Sequence, residues 1–131
     1  MKRSRTPWGH ALGGVVVTLA LLAGPSARAD LGLVGEGKKQ ELDATQFDAP
    51  QKERYTLFKA KCTKCHPMQR PISALTTGVT PVSGAAFDDA GIKKYVLKMM
   101  RKPNSGIEKS DARELVVFLR HARSMAQKET P

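Results

Sequence analysis

Apolar residues recur with a helical period in three stretches of this chain. From Gln51 to Cys65, the apolar residues Leu57, Phe58, Cys62 and Cys65 fall mostly on one face. Lys52, Arg54, Lys59, Lys61 and Lys64 fill much of the remainder. Pro50 precedes this stretch, Glu53 favours the helix dipole in its first turn, and Pro67 stops it just after His66. From Asp88 to Arg101, Ile92, Tyr95, Val96 and Met99 form an i, i+3, i+4, i+7 stripe. Asp88 or Asp89 caps that helix, and Pro103, Asn104 and Gly106 end it. From Ser110 to Met125, Leu115, Phe118, Leu119 and Ala122 make the apolar face, while Arg113, Arg120 and Arg123 face water. Ser110 or Asp111 is the expected cap, with Asp111 and Glu114 resembling a capping box. Between the first two helices, Met68 to Phe87 carries Pro71, Gly78, Pro81 and Gly84 among Ser and Thr, which predicts a loop. A loop that long inside a small domain is usually functional or unstructured. No internal repeat, heptad run or pair of strands stands out. The expected class is all-α, with about three helices.

The N-terminal part follows a different pattern. Lys2, Arg3 and Arg5 precede an apolar run from Ala11 to Gly24, and Ala27-Arg28-Ala29 is a small-x-small site. Residues 1–29 therefore read as a cleaved secretory signal, with Asp30 as the mature N-terminus. The apolar run is shorter than the ~20 residues of a spanning helix, so no transmembrane segment is expected after cleavage. An uncleaved anchor is the alternative. Residues 30–50 are weakly patterned, broken by Gly32, Gly35 and Gly37, and read as an arm or linker. A sharper alternative has Phe47 or Leu33 covering an edge of a pocket. Residues 51–131 make the domain proper.

Charge narrows the field without choosing a partner. The chain has 22 Lys and Arg against 12 Asp and Glu, a net of +10. Four of the basic residues lie in the leader and none of the acids do, so the mature chain keeps 18 against 12, or +6. That suits docking on acidic proteins or anionic surfaces. No aromatic-rich basic stripe or zinc-finger pattern supports nucleic acid.

The candidate chemistry sits in Cys62-Thr63-Lys64-Cys65-His66, which holds both cysteines of the chain. This spacing is the signature of covalent haem attachment. Residues three apart share a helix face, so both thiols can reach one planar ligand. His66 is then placed to bind the iron axially. Other readings need more than the chain offers. A disulfide pair leaves the adjacent histidine unexplained. A thioredoxin-like dithiol wants a βαβ setting. Zinc wants further ligands, and His121, in the last helix among arginines, reads as a surface residue. For the second axial position the mature methionines are Met68, Met99, Met100 and Met125. Met68 is too close to His66 to cross to the opposite face, and Met125 is near a helix end. Met99 sits centrally on the Ile92–Tyr95–Val96 stripe. Met100, the alternative, lies about 100° further round.

Three helices, a CxxCH motif closing the first and a methionine before the last resemble a small monohaem class I c-type cytochrome. The segment Val96 to Ile107, with Met99-Met100-Arg101-Lys102-Pro103-Asn104 at its centre, is similar to a stretch in a bacterial branch of that family. The resemblance spans about Glu53 to Arg123 and also places the family's methionine at Met99. It implies an exported, periplasmic electron carrier with one covalently attached haem c and its iron, and redox proteins as partners. It implies no catalysis. An open-site haem sensor, a peroxidase-like enzyme or a subunit of a larger oxidoreductase are the alternatives. One departure is visible. Many family members carry Gly-Pro soon after the haem histidine, and that proline carbonyl orients the ring. Here Pro67-Met68-Gln69-Arg70-Pro71-Ile72 follows, which leaves the acceptor for His66 open. Lys59, Lys61, Lys64, Lys93, Lys94, Lys98, Arg101 and Lys102 are expected around the haem edge, as a docking ring or as plain solvated helix faces.

Overall fold

In the computed structural model, which describes residues 31–128, four helices and one short strand pair succeed one another. The predicted leader lies outside these residues. The fold is mostly helical, in keeping with the all-α expectation, and has one helix more than expected.

Helix α1 spans Ala49–Cys62. The Asp48 carboxylate accepts from Gln51 N at 2.9 Å, and Pro50 sits in the first turn, where its missing N–H has no intrahelical acceptor to lose. Helix α2 spans Gln69–Thr77, inside the stretch expected to be a loop. Its existence corrects that expectation. Pro71 falls in the first turn, so it costs no backbone hydrogen bond. Pro71, Ile72, Ala74 and Leu75 are buried, and Gly78 closes the helix at φ +77°. A Cβ at Gly78 would also collide with the Arg123 guanidinium. The remainder of the stretch is an ordered hairpin-like turn: Val79 bridges Ala86, and Phe87 N donates to Gly78 O at 2.8 Å.

Helix α3 spans Asp89–Met100, capped by Asp88 through Gly91 N at 2.8 Å. Helix α4 spans Lys109–Gln127 and begins earlier than expected. Glu108 is its cap, with Glu108 N donating to Asp111 at 3.0 Å. Asp111 is thus the third helical residue of the motif, and Glu114 turns instead to Arg54 on α1 at 2.7 Å.

Helix α4 packs against each of the other three helices. Leu115, Phe118, Leu119 and Ala122 are buried as expected, and Phe118 meets Phe58 and Tyr55 of α1 at centroid distances of 5.2 and 5.7 Å. Polar contacts follow the same plan. Lys61 reaches Asp111 at 2.9 Å, Arg120 reaches Asp89 at 3.6 Å, and Arg123 donates to Leu75 O at 2.7 Å. Arg123 therefore closes the end of α2 rather than facing water.

Residues 31–47 are mostly exposed, but three of their side chains enter this core. Strand β1 (Leu33–Val34) pairs antiparallel with β2 (Glu41–Leu42). Leu31, Leu42 and Phe47 are buried, and the buried Tyr55 hydroxyl donates to Leu42 O at 3.0 Å. Three apolar side chains spread over seventeen residues have no period, so the sequence pattern did not reveal them. Phe47 packs edge-on to Phe118 at 5.3 Å, within the core, and Leu33 is exposed.

Candidate functional site

The CxxCH segment straddles the end of α1 instead of lying along it. Cys62 is the last helical residue. The Thr63 hydroxyl donates back to Lys59 O at 2.7 Å, which satisfies a carbonyl of the last turn. Pro67 disfavours helical backbone at His66. The shared helix face expected for the two cysteines is therefore not what places them. Cys62 is half-buried against the core and Cys65 is exposed. Burial pushes the Cys62 thiol up to about 12. Burial also raises the Tyr95 hydroxyl, Cys62 adds to that, and the Arg70 guanidinium opposes it.

Beside this segment lies a cleft of about 760 Å³. Cys65 and His66 line one part of it, Tyr95 and Met99 of α3 another, and the turn from Thr80 to Ala86 a third. Arg70, at the start of α2, and Lys94, Lys98 and Lys102 complete its basic lining, with Asp88 the one acid among the lining residues. The volume lies within the ~300–1,000 Å³ of small-molecule and cofactor sites.

The cleft separates the methionines. Met99 lines it. Met100 lines a different groove, between α3 and α4. Met68 and Met125 are buried in the core. His121 is not among the cleft's lining residues; its ring lies 6.2 Å from that of Phe47. Among the described residues no three His, Cys, Asp or Glu side chains gather into a bare-metal site.

His66 finds an acceptor that the sequence left open. Its Nδ1 lies 3.3 Å from the carbonyl oxygen of Pro67, the very next residue. With the ring N–H on Nδ1 donating there, Nε2 carries the free lone pair, which is the arrangement a metal-binding imidazole needs.

The donor set therefore fits a haem iron: one imidazole with its second nitrogen engaged, one neutral thioether, and a thiol at the same cleft. Cys62 is not among the lining residues; it packs against the core near Tyr95, which does line the cleft.

The basic residues separate as well. Lys59 pairs with Glu41 at 2.6 Å and Lys61 with Asp111, so neither belongs to a free ring. Lys94, Lys98, Arg101 and Lys102 group along the outer side of α3 and its end, around a groove of about 390 Å³. Among the described residues none of these four is in an ion pair. Two cleft residues escaped sequence reasoning. Arg70 lay in the presumed loop. Tyr95 was assigned to the apolar stripe, although its place one turn before Met99 marks the same wall.

No protein family, curated protein or solved structure was found to match the chain. Among the described residues no helix is long and apolar enough to cross a membrane.

Proposed function

We propose that this protein is an exported, monohaem c-type cytochrome that passes single electrons between partner proteins in the periplasm. The observation that carries the reading is one cleft lined by Cys65 and His66 on one side and by Met99 on another, with the other methionines of the described chain directed elsewhere. Cys62 and Cys65 would hold the haem covalently, and His66 and Met99 would ligate its iron. Haem supplies reversible one-electron exchange at its iron. The chain's own part is to keep His66 in one tautomer through Pro67 O, to present a soft thioether that raises the potential, and to limit water with Tyr95 and the Thr80–Ala86 turn. Arg70, Lys94, Lys98 and Lys102 give the cleft a basic border. That border favours steered, salt-sensitive encounter with acidic surfaces of redox proteins.

Absorption spectroscopy of the matured protein is the test. Haem bands with a methionine-to-iron charge-transfer feature are expected, and Met99→Ala should abolish that feature while Met100→Ala keeps it. Absence of haem overturns the reading. Haem without the feature in the parent protein replaces it with an open-site sensor or peroxidase-like enzyme. Loss of the feature in Met100→Ala alone moves the ligand to Met100.

A further inference from the structure

The second flank of α3 carries a surface that the cleft does not use. Ile92 and Val96 of α3 are buried against the core. Stepping about 100° per residue round the helix, Tyr95 and Met99 fall to one side of that stripe, and Lys93, Leu97 and Met100 fall to the other. This second side and α4 enclose a groove of about 500 Å³. Its floor is apolar: Val96, Leu97 and Met100 from α3, and Ala112, Val116 and Val117 from α4. Val117 is 43 % exposed, on a face of α4 turned away from the core. Every charged residue lining the groove is cationic, namely Lys93, Lys109, Arg113 and Arg120. Arg120 reaches Asp89 at 3.6 Å, and among the described residues the other three are in no ion pair.

We infer that this groove docks an acidic amphipathic helix of a partner protein. An apolar floor between two helices, rimmed by charge, is the form that accepts a helix by its i, i+3, i+4, i+7 side chains. The rim fixes the partner's sign, because carboxylates flanking its apolar stripe would meet cations on both α3 and α4. A second copy of this chain is disfavoured, since it would bring the same cations to the same place. A bilayer is flat and would meet the cationic rim before the recessed floor. A partner helix inserts side chains into it. No residue lines both this groove and the cleft, so the two sites use different side chains of α3. The inference stands whether or not the cleft carries haem.

The test uses the full mature protein, as purified, and a synthetic peptide of about 18 residues with Leu and Ile at i, i+3, i+4 and i+7 and Glu elsewhere. Controls are a scrambled peptide of equal composition and phosphatidylglycerol vesicles. Fluorescence anisotropy measures affinity, and amide chemical-shift changes locate the site. The amphipathic peptide is expected to bind and to perturb residues 96–100 and 112–117. Val117→Glu and Arg113→Glu should each weaken it on the order of tenfold, as should added salt, while Lys52→Glu on the exposed side of α1, which lines none of the grooves, leaves it unchanged. Both residues replaced are exposed, and circular dichroism checks that the variants stay folded. Equal binding of the scrambled peptide, shifts confined to the cleft, or no binding overturns the inference. Vesicles binding through the groove while the peptide does not would replace the protein partner with an anionic membrane surface.

Discussion

Cys62 and Cys65 share a motif but not an environment. Burial holds the Cys62 thiol protonated, with a pKa of about 12, while Cys65 lies exposed beyond the helix end. Since the thiolate is the reactive form, the two should differ in the haem-free protein. Alkylation by iodoacetamide at neutral pH, followed by peptide mass spectrometry, is expected to modify Cys65 faster than Cys62, on the order of 100-fold. Denaturant should erase the difference, and equal native rates would contradict the burial of Cys62. The neighbouring His66 shows how far residue-level reading reaches. The motif marks His66 as the candidate ligand, but its acceptor depends on how the backbone turns after it. A carbonyl one residue away, at 3.3 Å, has no signature in residue types. That Met99 and Met100 face different ways is legible because a helical stripe assigns faces, and the two methionines line different grooves.

Among the elements, one carboxylate serves both the cap of α4 and its join to α1. Asp111 accepts from Glu108 N, ending the first turn of α4, and from Lys61 at the end of α1. Those hydrogen bonds, Lys61 first, hold its carboxyl below the ordinary carboxylate value. A depressed pKa stabilises the fold above the unfolded value of about 4, and that stabilisation is lost as pH falls through the lowered folded value. Asp111→Asn is expected to cost about 1 kcal/mol at neutral pH, measured by urea unfolding, and the deficit should shrink below about pH 4. A pH-independent difference would mean that the charge plays no part. The long periodic helices α3 and α4 could be read from sequence because burial of one face imposes a period. The short α2 could not, because Pro71 and the closing Gly78 resemble loop chemistry unless it is known that Pro71 falls in a first turn. The burial of Leu31, Leu42 and Phe47 was equally hidden: irregular backbone threads side chains into the core without periodicity, and only tertiary contact with Tyr55 and Phe118 reveals it.

At the scale of the whole molecule, α4 is the element on which the others depend. It buries the aromatic face of α1, ties off α2 through Arg123 and closes α3 through Arg120. A chain ending at residue 108 would leave Phe58, Leu75, Ile92 and Val96 without their packing surface. Such a chain is expected to lose most of its helical circular dichroism, since isolated helices of this length are marginal in water; retained native helicity would refute the dependence. Because α4 follows the other three helices, a chain threaded through a membrane pore from its N-terminal end delivers Cys62 well before the last helix of the core against which it packs. On the proposed export route, that order of emergence would open an interval in which Cys62 is as accessible as Cys65, which stays exposed in the folded chain. The arrival of α4 would close that interval for Cys62 alone.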